Sequence, residues 1–185
     1  MISLPNFLVI GSYSRNAGKT SFTKKIINQM NGHVIALKVT VIKKGELVCP
    51  RGGTGCGICH TLEGEFDLSE ELDPVKGKDT SQLLAAGAAK VYWLRVKEDS
   101  VNRGMKAFLK LINSSDPVIC ESNSIMKSIK PSLFFLLQSE TSIEKKQSAR
   151  FVEKQADLIV KTTETNQDFD FSRLSFEDSH WSLKF

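Results

Sequence analysis

The sequence predicts an α/β protein: a mostly parallel sheet with helices on both faces, a three-layer sandwich interrupted by a Cys/Gly-rich insertion. Three observations lead there. Short apolar runs alternate with segments of helical periodicity along most of the chain, the pattern of a parallel sheet buried on both sides. The first run and the first helical segment are joined by Gly11-Ser12-Tyr13-Ser14-Arg15-Asn16-Ala17-Gly18-Lys19-Thr20, which ends as a phosphate-binding loop ends. Residues 49–78 break the alternation with glycines, cysteines and a run of acids, and long insertions of this kind are usually functional.

Each element has its own signal. "FLVIG" at 7–11 reads as a buried strand. Phe22, Ile26, Ile27 and Met30 recur at helical spacing, and Asn31-Gly32 stops that helix. "VIALKV" at 34–39 is a second buried strand, and the chain after it is read as a hairpin turning at Lys43-Lys44-Gly45-Glu46. Asp79-Thr80 opens a short helix that Gly87 ends. "KVYWLRV" at 90–96 is a strand, and Val101, Met105, Phe108, Leu109 and Ile112 mark an amphipathic helix. "PVIC" at 117–120 is a strand ending at Glu121, "SIMKSI" a helical turn, and "SLFFLL" at 132–137 a very apolar strand. A charged helix over 143–156 and the strand "DLIV" at 157–160 follow. The last 20 residues alternate too weakly for assignment. The expected organisation is one domain over 1–185, with the insertion at about 43–78.

Composition narrows the classes. The chain has 185 residues, 41% hydrophobic and 25% charged, ordinary values for a globular protein with a sizeable core. A net charge of +4, spread along the chain, does not argue for nucleic acid. No apolar run reaches the ~20 residues of a membrane helix, and the N-terminus lacks the pattern of a signal peptide. The expectation is a cytoplasmic protein, where the four cysteines are thiols or metal ligands rather than disulfides.

The loop carries the chemistry. Backbone N–H groups over Asn16, Ala17, Gly18, Lys19, Thr20 and Ser21 would cradle phosphate oxygens at the start of a helix. Lys19 would reach the terminal phosphates, and the Thr20 hydroxyl would ligate Mg²⁺. One residue departs from the standard pattern: Tyr13 stands where a glycine is usual, and Gly11 lies two residues upstream. In parallel sheets ligands sit beyond the carboxyl ends of strands, so Lys38, Asp79, Glu121 and the strand-end run Lys161-Thr162-Thr163 become candidates. Glu121 would hold Mg²⁺ or its water, and Lys38 would neutralise a transferring phosphoryl group or an anionic substrate. Asp79 is either a third magnesium contact or a helix cap.

These residues together resemble a family. The Gly18-Lys19-Thr20 loop, Lys38, "GKDTSQLLAAGAAKVY" at 77–92 and "VICES" are similar to the molybdopterin-guanine dinucleotide biosynthesis protein B family. The resemblance spans about residues 7 to 160. It implies a P-loop NTPase fold, GTP binding, slow hydrolysis and work with a partner transferase in molybdenum cofactor biosynthesis. Wider relatives, the dethiobiotin synthetases, hold Mg²⁺ with the loop threonine, an aspartate and a strand-end acid, which implies Thr20, Asp79 and Glu121 here. Val39-Thr40-Val41 stand where the family commonly has histidines, and "VKTTE" lacks the guanine-reading Asn-Lys-x-Asp signature, so ATP and GTP both stay open.

The insertion spaces Cys49, Cys56, Cys59 and His60 as C-x6-C-x2-C-H. Cys-x-x-Cys lets two thiolates meet one metal, and a third thiolate with an imidazole completes tetrahedral zinc; an iron–sulfur cluster is the alternative. Reduced thiols, or a redox pair of Cys56 and Cys59, are the readings without metal. Three functions follow: a cofactor-biosynthesis NTPase, a metallochaperone whose nucleotide state controls the cysteine loop, and a dethiobiotin-synthetase-like kinase or ligase. The candidate partners are a nucleotide, a biosynthetic protein and a second copy of the chain, with neither nucleic acid nor a membrane.

Overall fold

The computed structural model describes residues 1–42, 62–75, 77–141, 146–163 and 167–184. Its centre is a seven-stranded sheet. The strands are β1 (Ile2–Ser12), β2 (Ile35–Ile42), β3 (Phe66–Glu70), β4 (Lys90–Lys97), β5 (Val118–Glu121), β6 (Ile129–Ser139) and β7 (Leu158–Thr162). Their order is β3-β4-β2-β5-β1-β6-β7, and every neighbouring pair is parallel except β3 with β4. The helices are α1 (Lys19–Gln29), α2 (Asp79–Ala85), α3 (Val101–Leu109) and α4 (Gln147–Val152). With helices on both faces and the loop before α1, this is the α/β three-layer architecture of P-loop NTPases.

The strand alternation builds two cores. Along β1, Phe7 and Val9 face one side and Leu8 and Ile10 the other. The first side is closed by Val101, Met105 and Phe108 of α3 and by Ala149 and Val152 of α4. The second is closed by Phe22, Ile26 and Ile27 of α1 and Leu83 of α2. Phe7, Leu8, Val9 and Ile10 are fully buried, so "FLVI" is apolar throughout because neither face of a central parallel strand meets water.

Three regions differ from the sequence reading. Residues 66–70, expected as loop, form β3, which pairs antiparallel with β4 from Phe66↔Val96 to Glu70↔Tyr92 and closes one sheet edge. Its acids hid it: Asp67 is ion-paired with Arg95, an interaction that composition alone does not show. The last residues form a hairpin, β8 (Leu174–Glu177) and β9 (His180–Leu183). Its turn residues Asp178 and Ser179 have φ of 51° and 60°, the left-handed geometry of a two-residue hairpin without the usual glycine. Trp181 of β9 is fully buried, and its Nε1 donates to the Asn6 carbonyl at 3.0 Å. Of the helix expected over 143–156, residues 143–145 lie outside the described residues, and the rest is an α-helix at Gln147–Val152 that tightens into a 3-10 turn at Glu153–Gln155. The expected hairpin at 43–46 lies outside the described residues.

Candidate functional site

The strand order places a site. From β1 the chain crosses through α1 to β2 on one side, whereas β5 is followed by β6 on the other side of β1. The loop therefore leaves β1 beside the point where the order reverses, the usual ligand crevice of such sheets. Gly18 occupies the cap position of α1 with φ of 76° and no side-chain cap, so the first N–H groups of α1 are left for an anion. Asn16 shares the left-handed region at φ of 55°, which asparagine tolerates better than most residues.

Tyr13 explains the missing glycine. Its φ is not positive, so the backbone does not require glycine there. The ring is buried, the amide donates to the Leu137 carbonyl at 2.9 Å, and Oη donates to Glu153 at 2.7 Å. Burial and the adjacent carboxylate hold the phenol well above its usual range. Glycine is needed two residues earlier instead. A Cβ on Gly11 would lie 2.6 Å from Asn123 Oδ1 and 2.8 Å from the Phe134 ring. Asn123 uses that space to grip Ser12 at both ends, accepting from its N–H and donating to its carbonyl, each at 2.8 Å.

Lys19, the first residue of α1, turns back over the loop and donates to Ser12 Oγ at 2.9 Å. Burial lowers its pKa, opposed by the charge of Glu121. Glu121 ends β5 in register with Ile10 of β1 and Lys38 of β2. It is 4% exposed, and its Oε1 meets no hydrogen-bond partner among the described residues. Burial raises its pKa, while Lys19 and Lys38 pull the other way. Lys38 forms an ion pair with Asp79, the first residue of α2. Lys78 holds the cap position, so Asp79 is not the cap, and its carboxylate turns to the sheet edge.

Lys19, Lys38, Asp79 and Glu121 thus share one electrostatic cluster at the carboxyl end of the sheet. Asn16 and Ser21 are exposed, Ala17 is buried, and Gly18 and Thr20 are half-buried in the same loop and first helical turn. Cys49, Cys56, Cys59 and His60 lie outside the described residues. Cys120 is fully buried in β5, where desolvation drives its thiol pKa upward, in keeping with a packing role.

Sequence reasoning missed two supports of the loop, Asn123 and Lys146, and singled out a third, Thr162, only by its place at a strand end. Asn123 follows the strand-end glutamate by two residues, and the only hint of it was a glycine where β1 ends. Thr162, at the end of β7, donates from Oγ1 to the Ala17 carbonyl at 3.1 Å. Lys146, just before α4, donates its backbone N–H to the Tyr13 carbonyl at 2.7 Å. Its side chain is half-buried, and its pKa is lowered to about 8 by burial and by repulsion from Lys19 and Arg15.

Fold and loop together define the class: an α/β chain with the P-loop NTPase fold. No family model matches the chain, and no curated protein matches it. Among solved structures it is similar to LpxK from Aquifex aeolicus, described as an "apo" form in complex with ATP, with 17% identity and a TM-score of 0.53. The match covers 97% of this chain and 54% of that one, so the chain spans about half the length of that protein. Among the described residues, no helix is long and apolar enough to cross a membrane.

Proposed function

We propose that the protein binds a nucleoside triphosphate with Mg²⁺ and catalyses transfer of its terminal phosphoryl group, to water or to a small acceptor. The observation that carries this is the convergence of Lys19 and Glu121 beside a loop whose helix start is uncapped. The binding of ATP by LpxK makes ATP the first nucleotide to test, with GTP beside it. Magnesium suits the donors present. It takes hard oxygen ligands, and Glu121 offers a buried carboxylate whose Oε1 meets no hydrogen-bond partner among the described residues. Thr20 and Asp79 supply the other candidate oxygens. When bound, the ion would neutralise charge on the phosphate oxygens.

The chain's own residues do the rest. The backbone from Asn16 to Ser21 holds the phosphates, and Lys19 leaves Ser12 Oγ to meet them. Lys38 is held by Asp79, and a fixed cation there would offset charge on the transferred group. A role in molybdenum cofactor biosynthesis, with GTP and a partner transferase, rests on the sequence resemblance alone. The test is calorimetric titration with ATP and GTP, with and without Mg²⁺. Mg²⁺ should tighten binding to the wild type, and Glu121→Gln should lose most of that gain. Equal Mg²⁺ dependence in both proteins would remove Glu121 from the site.

A further inference from the structure

The start of α4 is fastened to the phosphate loop more firmly than a connecting segment needs to be. Lys146 N–H donates to the Tyr13 carbonyl at 2.7 Å. Asn123 Nδ2, while donating to Ser12, also lies 3.3 Å from Ser148 Oγ. Seven residues beyond Lys146, Glu153 accepts from Tyr13 Oη at 2.7 Å. These contacts fix the backbone of Lys146 against the loop.

The side chain of Lys146 is then held in an odd place for a cation. It is half-buried, and among the described residues no carboxylate pairs with it. Among the described residues, the charges that act on it are Lys19 of α1 and Arg15 of the loop, both positive. Among the described residues, Glu153 is engaged with Tyr13, and Asp79 with Lys38. Glu121 acts on Lys19. Three cations gathered around a loop that presents free N–H groups call for an anion with more charge than the loop alone would need.

We propose that Lys146 contacts the nucleotide directly, binding the terminal phosphate from the residue that precedes α4, and so selecting triphosphate over diphosphate. This rests on the nucleotide-binding reading given above. It adds a residue that no loop pattern includes, since Lys146 lies 127 positions after Lys19 (146 − 19). Only its side chain is required, because its backbone bond to Tyr13 survives substitution.

The test compares wild type, Lys146→Ala, Lys146→Arg and Lys19→Ala in titrations with Mg-ATP, Mg-ADP and a non-hydrolysable ATP analogue. A lost charge-assisted contact should cost about 10- to 100-fold in affinity. Lys146→Ala should lose that much for the triphosphates and little for ADP, whereas Lys19→Ala should lose both. Lys146→Arg should restore the triphosphate preference. It should also flatten the pH profile. Wild-type triphosphate affinity should fall as pH rises beyond about 8, where the free lysine loses its proton, whereas arginine stays charged. Lys19 and Tyr13 titrate in both proteins, so the difference between their profiles belongs to Lys146. If wild type binds ATP but Lys146→Ala keeps the ATP-to-ADP ratio, or the two pH profiles coincide, this inference fails and the nucleotide-binding reading stands. If wild type binds no nucleotide, both fail.

Discussion

Replacing Gly11 by alanine tests whether the phosphate loop is held by Asn123. The new Cβ would sit 2.6 Å from Asn123 Oδ1 and 2.8 and 3.0 Å from two carbons of the Phe134 ring. Real Cβ contacts are essentially never that short, so a neighbour must move. Phe134 is 1% exposed and belongs to the core, so it has little room. Asn123 yields more easily, but moving it breaks the paired bonds to Ser12 N–H and carbonyl. Overpacking costs about 1–3 kcal/mol, and leaving a buried polar group unpaired adds about 1–3 kcal/mol. Gly11→Ala should therefore destabilise the fold by roughly 2–6 kcal/mol. Asn123→Ala should cost about 1–3 kcal/mol by the lost bonds. Because the alanine methyl would enter space that Asn123 vacates, the double variant should be less destabilised than the sum, by about 1 kcal/mol or more. Urea unfolding of the four proteins gives the cycle. A Gly11→Ala effect under about 0.5 kcal/mol, the range of an ordinary surface change, would refute the clamp, and so would strict additivity.

Further expectations follow from the same geometry. Tyr13→Phe should lose about 1 kcal/mol with its bond to Glu153 and leave nucleotide affinity unchanged. Tyr13→Gly restores the usual loop pattern, yet it should destabilise more and bind no tighter, because the ring is core; chemical denaturation and calorimetry separate the two. Trp181→Ala should cost about 3–5 kcal/mol in unfolding experiments, since its ring is fully buried between the hairpin and the sheet. Lys146→Met should raise the melting temperature of the nucleotide-free protein at pH 7. The folded pKa of Lys146 is about 8, below the ordinary lysine value, so the unfolded chain holds the proton more tightly. The penalty is full at pH 7 and fades as pH rises from about 8 toward the unfolded lysine range, where wild type and Lys146→Met should converge.

What was legible in the sequence is what depends on neighbours along the chain. Gly18-Lys19-Thr20 between an apolar run and a helical repeat gave the loop, and "VICE" gave a strand-end acid, because both signals are contiguous. Contacts across long separations left little trace. Asn123 and Thr162 reach the loop from 111 and 145 residues away; nothing in its surroundings marks Asn123, and Thr162 stands out only by its place at the end of a strand. β3 was hidden because an edge strand needs few apolar residues, and its Asp67 is matched by an arginine on another strand. The C-terminal hairpin was hidden because its strands have only four residues and its turn uses Asp178-Ser179 rather than Asn-Gly. Asp79 is the instructive case. Its position before "TSQLLA" suits a cap, and only the structure shows its carboxylate turned to Lys38.

The most direct measurement of the central claim is calorimetric titration of wild type and Lys19→Ala with Mg-ATP and Mg-GTP, beside circular dichroism to confirm that both are folded. Lys19 is the side chain proposed to meet the phosphates, and the hydrogen bond it makes, to Ser12 Oγ, lies within the same loop. The account predicts saturable binding of at least one nucleotide to the wild type and none detectable to Lys19→Ala. Equal affinity in the two proteins, or no binding of either nucleotide to a folded wild type, would contradict it.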